Sequence, residues 1–268
     1  MGRRRPAAQG AAPGSVTLGG HVLDRSSRTG AGRLTVAHDH SHGHRHFDDI
    51  ASEYDEAIPA HVMEHYHRKR VAALRGWVPP GGRVLDVGCG TGTLLERVAD
   101  AGFTTVGADP SSGMLKVFTG QRPGIPVTVA EGSLPFAGGS FDLVYCVAVL
   151  HHVGDAAAVR HTLAEMVRVT RPGGHVVVWD HNPRNPYWPY LMKRVPQDCG
   201  DERLVEEAEI VAGLSDGAHV VSRAQLGLVP DFAPPSLVGA FAAVERVVEK
   251  LPAVRRLCAH NVVVARVG

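Results

Sequence analysis

The sequence Val84-Leu85-Asp86-Val87-Gly88-Cys89-Gly90-Thr91-Gly92 decides the fold that we predict for this chain. An apolar run breaks there into alternate glycines and a helical pattern begins near Thr93, which predicts a strand, a tight turn and a helix. Glycine tolerates positive φ and has no Cβ, so a ligand can approach the backbone at such a turn. The first N–H groups of the helix face the same point. A purely structural turn has the same spacing, so the rest of the sequence has to decide between the two.

Asp109 supplies that context. It ends the next apolar run about twenty residues after Gly88, where a doubly wound sheet places an acid that accepts hydrogen bonds from ribose hydroxyls. Further apolar runs alternate with helical patterns, which predicts an α/β fold with a Rossmann-like, doubly wound, mostly parallel sheet and helices on both faces. The predicted strands are 83–87, 104–108, 126–130, 142–147, 175–180, 218–223 and 260–266, and the predicted helices are 59–74, 93–101, 111–119, 155–169, 202–212 and 236–250.

Composition and charge restrict the class of protein. With 268 residues and 44% hydrophobic content, the chain can bury one sizeable core. Its net charge of +1 favours neither nucleic acid nor an anionic membrane surface, and its apolar runs, such as 176–179, are far shorter than the about 20 residues of a membrane span. The four cysteines lack metal or disulfide spacing. We therefore expect a soluble cytoplasmic protein that acts on a small molecule; its oligomeric state stays open.

Residues 1–46 differ in composition from the rest of the chain. They are rich in Gly, Ala, Arg, Ser and Thr and lack a sustained apolar period, so we predict a disordered tail followed by one domain from 47 to 268. The tail ends in alternating histidines over 38–46, which can chelate divalent metal adventitiously. A flexible tract without acidic or cysteine ligands is a poor selective site, so we assign it no catalytic role.

The glycine turn and Asp109, together with later motifs, resemble a class I S-adenosylmethionine-dependent methyltransferase of the small-molecule type. The motifs that carry the resemblance are 84–92, 107–115, 134–136 with 140–144, 150–153 and 171–174. They follow one another in the family's order, from about residue 47 to the C-terminus. The resemblance implies a seven-stranded sheet whose last strand is antiparallel, with S-adenosylmethionine as the cofactor.

The resemblance also implies roles for individual residues. It places Gly88, Gly90 and Gly92 beside the methionine and ribose, with Cys89 filling space in the same turn. The other cofactor contacts that it implies are Tyr54 in a lid over 47–55, Asp86 near the amino group, Asp109 on the ribose hydroxyls, Pro110 and Met114 beside adenine, and Val147 at the end of the fourth strand. Asp86 as a turn cap and Met114 as core packing are alternatives.

The chain departs from the family at the adenine amine. Ala130 occupies the position where related enzymes usually place an aspartate. Glu131 is adjacent and can substitute after a small shift, and Ser133 follows in the same turn with Gly132 between them. We predict these three residues as the adenine contact.

The catalytic candidates are histidines at the carboxyl ends of the strands, where ligands enter such sheets. His151 and His152 follow the fourth strand, and His181 lies in an aromatic, proline-rich loop after the fifth. A neutral imidazole there can remove a proton from a hydroxyl or amine acceptor; a hydrogen bond to the backbone or to the cofactor carboxylate is the alternative for each. We expect lid and acceptor segments near 181–200 and 224–250.

These residues predict methyl transfer to the oxygen, nitrogen or carbon of a small molecule such as a secondary metabolite. No Asn/Asp-Pro-Pro-aromatic motif follows the fourth strand, which argues against base or glutamine modification. Two other functions share parts of the pattern. A nicotinamide-dependent dehydrogenase has a similar turn, but its third glycine follows at a wider spacing than Gly92 does here. A non-enzymatic or metal-handling protein is suggested by the histidine tract, by Ala130 and by His61 and His65, four residues apart.

Three basic residues follow one another near the end of the predicted helix 59–74. Arg68, Lys69 and Arg70 either cap this helix or approach the cofactor carboxylate.

Overall fold

A seven-stranded sheet organises the part of the chain that our computed structural model describes, namely residues 41–122, 124–130, 132–193, 200 and 202–268. The strands are β1 (Arg83–Val87), β2 (Thr104–Asp109), β3 (Ile125–Thr128), β4 (Phe141–Val147), β5 (Thr170–His181), β6 (Ala218–Leu226) and β7 (His260–Val267). Their order is β3-β2-β1-β4-β5-β7-β6. β7 is antiparallel to both neighbours, whereas the remaining pairs are parallel. The predicted Rossmann-like α/β fold is confirmed.

Helices connect and cover these strands. They are α1 (Ser41–Ile50), α2 (Ala60–Leu74), α3 (Thr93–Asp100), α4 (Ser112–Gln121), α5 (Ala156–Val169), α6 (Trp188–Leu191), α7 (Glu207–Leu214) and α8 (Pro235–Val248), with short 3₁₀ turns at Tyr54–Glu56, Arg75–Trp77, Leu150–His152 and Arg255–Leu257. Asp155 begins α5 as predicted, because its carboxylate accepts hydrogen bonds from the N–H groups of Ala157 and Ala158.

Consecutive residues of the central strands face opposite sides of the sheet, as the strand period of two requires. Leu85 joins a buried cluster with Leu163 of α5. Its neighbour Val84 joins a second cluster with Leu95 of α3 and Phe118 of α4. The sheet is therefore buried on both faces, and its open edge for ligands is the row of strand carboxyl ends.

Helix α1 begins at Ser41, five residues before residue 46, where the sequence predicts the end of the disordered tail. Tertiary contacts that a local pattern cannot reveal hold this helix. Phe47 contacts the ring of His152 at 5.1 Å between centroids, and the Asp48 carboxylate accepts hydrogen bonds from Ser111 Oγ and from the N–H of Gly113 at the start of α4. Residues 1–40 of the predicted tail lie outside the described residues.

Two predicted boundaries lie elsewhere in the structure. α7 begins at Glu207 rather than at 202, since Arg203 donates its backbone N–H to the carbonyl of His151 and its guanidinium to Glu209. β5 begins at Thr170 rather than at 175, and its register against β4 shifts between Phe141 and Leu143.

The predicted lid segments divide into different structures. Residues 181–193 form a loop that includes α6, residues 194–199 lie outside the described part, and 224–250 contain the end of β6 and helix α8, which packs against α2. Among the helices of the described residues, none combines the length and the apolar character needed to cross a membrane.

Candidate active site

The glycine turn after β1 has the predicted positive φ angles, but its three glycines have different surroundings. All have positive φ: 74° at Gly88, 53° at Gly90 and 81° at Gly92. A Cβ on Gly88 would lie 2.5 Å from Val149 Cγ2, and one on Gly92 would lie 2.8 Å from the ring of Phe118. A Cβ on Gly90 would meet only the ring of Tyr54, at 4.0 Å. Gly88 and Gly92 therefore permit close packing, whereas Gly90 faces open space.

Asp109 closes one side of that space. Its Oδ2 accepts a hydrogen bond from the N–H of Gly90 at 2.8 Å, and its Oδ1 accepts one from the N–H of Ser111, also at 2.8 Å. The side chain is 7% exposed. The carboxylate at the end of β2 is thus fixed against the glycine turn, where the spacing of the sequence predicts it.

Asp86, near the end of β1, is a second buried acid beside the glycine turn. It is 3% exposed and accepts a hydrogen bond of 2.8 Å from the hydroxyl of Tyr145 on the neighbouring strand. Burial raises the pKa of Asp86 to about 7; the hydrogen bond from Tyr145 opposes this rise, Asp109 adds to it, and Arg70 opposes it. Asp86 is a carboxyl group poised to change charge near neutrality.

The three basic residues at the end of α2 separate in the structure. Arg68 pairs with Glu64 at the surface, and Lys69 pairs with Glu245 and Glu249 of the α8 region. Arg70 instead turns inward, with its guanidinium carbon 5.4 Å from the centroid of Tyr66. Among the described residues no hydrogen-bond acceptor for this guanidinium is found. Arg70 is therefore the member of the trio that can receive an anionic ligand group.

Tyr54 lies over Gly90 as part of a short segment tied to the glycine turn. Asp55, the next residue, accepts hydrogen bonds from Thr91 Oγ1 and from Arg122 Nη2, and Arg122 Nη1 donates to the carbonyl of Thr91. The Tyr54 ring also meets Phe47 edge-on at 6.3 Å. Phe47 in turn contacts His152, which links this cover to the residues that follow β4.

His151 is held by a residue that the sequence prediction missed, Asp180. His151 Nδ1 lies 2.8 Å from Asp180 Oδ1, and the two side chains are 2% and 0% exposed. Asp180 also accepts hydrogen bonds from the backbone N–H groups of Val149, Leu150 and His181. Burial alone would raise the pKa of Asp180, but His151 and the backbone donors outweigh burial and hold it below the ordinary value. The apolar strand 175–180 ends in this acid, which was the available sequence signal.

The backbone at the end of β4 is strained where it presents these donors. Ala148 has φ of 55°, a conformation that costs a residue with a Cβ about 1–3 kcal/mol. Its N–H donates to the carbonyl of Trp179 at 2.8 Å. The chain then turns so that the next two N–H groups face Asp180, which places His151 at the carboxyl ends of β4 and β5.

The rings of His152 and His181 both contact the ring of His151, and His181 is stacked on it. The ring of His151 lies 3.9 Å from that of His152 and 4.1 Å from that of His181, and His181 stacks on Trp188 at 3.7 Å. Burial is the main reason, and the neighbouring His151 the second, that the pKa of both His152 and His181 lies well below the ordinary histidine value. These two imidazoles are therefore neutral at pH 7.

Further polar atoms beside this stack have no hydrogen-bond partner among the described residues. They are Nδ1 of His181, Nδ1 of His260 and Nε1 of Trp179, all buried. The ring of His260 lies 5.6 Å from that of His181 and 6.2 Å from that of Trp179. A buried polar group without a partner costs about 1–3 kcal/mol, so such groups indicate a place for a polar ligand. His260 carried no motif that would identify it in advance, whereas Trp179 lies just before the predicted acceptor loop.

The group His151, Asp180 and His181 also has metal-like geometry, since one donor atom from each lies within 4.8 Å of the others. Each oxygen of Asp180, however, already accepts two hydrogen bonds. A carboxylate so occupied is better suited to orient an imidazole than to bind a cation. The other candidate pair is also engaged, because His61 contacts the carbonyl of Ala233 and His65 contacts Glu245.

The structure defines the residues predicted to contact adenine less fully than it defines the glycine turn. Glu131 lies outside the described residues. Gly132 has φ of 69° and faces the ring of His161. Ser133 is exposed and donates its N–H to the carbonyl of Ala130. Pro110 and Val147 are half-buried, Met114 is 2% exposed, and Cys89 packs against Gly107, where burial raises the pKa of its thiol.

The amino-acid sequence of this chain is similar to those of known methyltransferases. The chain is similar to a demethylmenaquinone methyltransferase from Paenarthrobacter aurescens, with 34% identity over 213 residues that cover 75% of this chain and 83% of the relative. This chain belongs to the class I S-adenosylmethionine-dependent methyltransferase family. A model of the family described as a methyltransferase domain matches residues 85–178. A demethylmenaquinone methyltransferase from Renibacterium salmoninarum is 40% identical over 158 residues, covering 56% of this chain but only 65% of its own length.

Solved structures agree on the fold. A Thermotoga maritima protein described as a possible histamine N-methyltransferase gives a TM-score of 0.61 at 19% identity and covers 84% of this chain and 99% of its own. A putative methyltransferase from Haloferax volcanii, in complex with the Trm112 activator, gives 0.60 at 22% identity and covers 82% of this chain and 97% of its own. At such identities the likeness establishes the fold alone. The family resemblance inferred from the motifs is confirmed, and the dehydrogenase alternative is set aside.

S-Adenosylmethionine is the cofactor of this family, and the residues of the turn fit it. Gly90 leaves open space where an added Cβ would intrude on a ligand. Asp109 supplies a fixed acceptor beside that space, Asp86 supplies a buried carboxyl group, and Arg70 supplies a cation without a hydrogen-bond partner in the described chain. These donors and acceptors complement hydroxyl, ammonium and carboxylate groups respectively.

Proposed function

We propose that this protein transfers the methyl group of S-adenosylmethionine to a small aromatic acceptor that carries an ionisable hydroxyl, with His151 as the general base. The observation that carries this proposal is the buried pair of His151 and Asp180. The pair lies at the carboxyl ends of β4 and β5, and Val149, two residues before His151, packs directly against Gly88 of the cofactor turn.

The hydrogen bond to Asp180 sets the tautomer of His151. Asp180 is ionised and can only accept, so the Nδ1–H of His151 donates to it. The lone pair of the neutral imidazole is then on Nε2. This atom can take the proton of an acceptor hydroxyl, and Asp180 stabilises the imidazolium that results, so Asp180 is a positioning residue in this mechanism.

The cofactor, when bound, supplies an electrophilic methyl group on a sulfonium, which is already a good leaving group. The chain has only to hold the acceptor in line and to receive one proton. As the hydroxyl proton moves to His151 Nε2, the acceptor's electron pair becomes available for the new bond to carbon, either on oxygen or on a conjugated ring carbon. A ring carbon that is methylated then gives up its own proton, the freed oxygen takes up a proton, and the ring becomes aromatic again. The bound cofactor would release its methyl group with the electron pair of the carbon–sulfur bond retained on sulfur. No serine or cysteine nucleophile is required.

The lining of the site supports an aromatic acceptor with oxygen substituents. Phe47, His152 and Trp188 present rings, and the unpartnered nitrogens of His181 and His260 can bond to oxygen atoms. The relatives named above act on demethylmenaquinone by their names. A reduced quinone, which carries ring hydroxyls, is therefore the acceptor class that we propose. The secondary-metabolite prediction remains compatible with it.

The expected compartment and partners follow from the same residues. The described cysteines Cys89, Cys146 and Cys258 are unpaired, which supports a reducing compartment such as the cytoplasm. A net charge of +1 supports a small-molecule acceptor over nucleic acid.

An acceptor screen with S-adenosylmethionine labelled in the methyl group tests the proposal. Reduced quinones, catechols and monophenols form one arm, and matched aromatic amines without hydroxyls form the other. We expect transfer only in the hydroxyl arm, with His151→Ala reducing the turnover rate by about 10²-fold or more. His219→Ala, at an exposed position of β6, is the control. Full turnover by His151→Ala, or transfer confined to the amines, would contradict the proposal.

A further inference from the structure

The outward face of α8 and the segment after it expose an unusual amount of apolar surface. Six large side chains over 237–257 are at least 46% exposed: Leu237, Val244, Val247, Leu251, Val254 and Leu257. Leu237, Val244 and Val247 are spaced seven and three residues apart in α8, so that they share one side of that helix. Leu251, Val254 and Leu257 continue the exposed apolar surface in the turns that follow α8. Inward-facing residues of the same helix, such as Phe241, already pack in a separate cluster with Val62 of α2. The exposed row is therefore additional to the packing that holds α8 in place.

Charged residues of this region are sorted by sign. The acidic residues between 232 and 259 are Glu245 and Glu249, and both turn inward to Lys69. Glu245 also accepts the N–H of Leu228, and Glu249 accepts that of Gly227. The basic residues face the other way: Arg246, Lys250 and Arg256 are exposed and Arg255 is half-buried. None of these four has an ion-pair partner among the described residues. The outward face thus combines apolar side chains with uncompensated positive charge.

This surface is continuous with the acceptor side of the site. Asn182, in the loop after β5, donates its side-chain amide to the carbonyls of Arg256 and Cys258, and Asn185 donates to the carbonyl of Leu257. Phe232, which is 70% exposed, contacts the ring of Tyr187 at 6.3 Å. Tyr187 directly precedes Trp188, which stacks on His181. The exposed surface therefore adjoins the loop that lines the proposed acceptor pocket.

We propose that this face of α8 and residues 251–257 docks on an anionic phospholipid bilayer. Apolar side chains flanked by uncompensated cations suit the boundary between acyl chains and negatively charged headgroups. A hydrophobic protein partner would not by itself require the outward cations, and a second copy of this chain would bring the cations of the two faces together. The proposal concerns the surface alone and does not depend on the identity of the methyl acceptor.

Co-sedimentation of the full chain with lipid vesicles tests the proposal. Vesicles of phosphatidylcholine with phosphatidylglycerol should bind the protein, and binding should weaken in pure phosphatidylcholine and at high salt. Arg246→Ala with Lys250→Ala should lower the partition coefficient roughly 25-fold, at about fivefold for each cation. Val244→Ser with Val247→Ser and Leu251→Ser should lower it about tenfold or more.

Matched changes elsewhere serve as controls. Lys116→Ala with Arg160→Ala removes two exposed cations from α4 and α5, and Ile125→Ser removes an apolar side chain that is 59% exposed on the far edge strand β3. Both should leave vesicle binding unchanged. All variants should retain the affinity for S-adenosylhomocysteine, which separates this test from that of methyl transfer.

Three results would overturn the proposal. One is the absence of binding to either kind of vesicle. Another is equal binding to charged and neutral vesicles by the unmodified protein, a result that needs no variant to fold. The last is a stable dimer in light scattering that dissociates on Val244→Ser with Val247→Ser, because a second copy of the chain would then cover this face.

Discussion

Nδ1 of His151 lies 2.8 Å from Oδ1 of Asp180, and both side chains are almost fully buried at the end of two adjacent strands. Asp180→Asn preserves the shape of this pair but replaces one acceptor oxygen with a donor amide. The imidazole is then free to carry its proton on Nε2, so we expect the turnover rate to fall by about 10²–10⁴-fold. S-Adenosylhomocysteine affinity by calorimetry should change less than a few-fold.

The matched control for that pair is Asp100→Asn, which alters an exposed carboxylate at the end of α3. It should leave both quantities unchanged. If Asp180→Asn retains the rate of the unmodified protein, Asp180 supports only the loop, and the base has to be sought at His152 or His181.

Cofactor affinity should depend on Asp109. Asp109→Ala removes an acceptor beside the cofactor space and also releases the N–H of Gly90, so we expect a loss of about 1.5–3 kcal/mol in binding free energy, the scale of a charge-assisted hydrogen bond. Isothermal titration with S-adenosylmethionine measures it. An unchanged dissociation constant would contradict the placement of the cofactor at this turn.

The glycines of the turn should separate binding from stability. Gly92→Ala places a Cβ 2.8 Å from the ring of Phe118 at φ of 81°, and it should lower the free energy of unfolding by roughly 2–5 kcal/mol. Gly90→Ala meets no atom closer than 4.0 Å, so we expect a cost of only about 1–2 kcal/mol from its left-handed backbone. Gly90→Ala should nevertheless weaken cofactor binding, because its methyl group enters the open space. Denaturant unfolding with and without S-adenosylhomocysteine distinguishes the two variants.

Cofactor binding should depend on pH through Asp86. Burial raises the pKa of Asp86 to about 7, so in the free protein the group is mostly protonated below that pH. An ammonium group beside it favours the carboxylate, so binding releases a proton below pH 7. Affinity should rise up to about tenfold per pH unit as the pH approaches 7, and level off above it.

Two variants check the source of this pH dependence. Asp86→Asn should abolish it and weaken binding at neutral pH. Tyr145→Phe removes the hydrogen bond that opposes the raised pKa, and it should move the midpoint to higher pH. Calorimetry in buffers of different ionisation enthalpy reports the released proton directly; a flat profile in the unmodified protein would contradict the role of Asp86.

Truncation should show where the folded domain begins. Deleting residues 1–36 should leave the thermal midpoint and cofactor affinity nearly unchanged, because these residues lack the sustained apolar period that a packed element needs. Deleting residues 1–50 should lower both, since it removes the Phe47 contact with His152 and the Asp48 hydrogen bonds to α4. Equal behaviour of the two truncations would mean that α1 contributes nothing.

The sequence by itself determined the features that arise from local pattern. The alternation of apolar runs predicted the strands, because a residue in a doubly covered sheet must be apolar whatever its distant neighbours are. The glycine turn was predictable because positive φ restricts residue choice, and Asp155 was predictable because a helix start leaves unpaired N–H groups. The same local logic identified Asp109.

Only the tertiary structure decided which polar residues meet. Asp180 and His151 are far apart in the chain and become partners because β4 and β5 are adjacent and parallel. His260 joins the site because β7 lies beside β5. The roles of Gly88 and Gly90 differ through their neighbours Val149 and Tyr54, which no local pattern encodes. Contacts between distant segments depend on the order of strands in the sheet, and that order is a property of the whole fold.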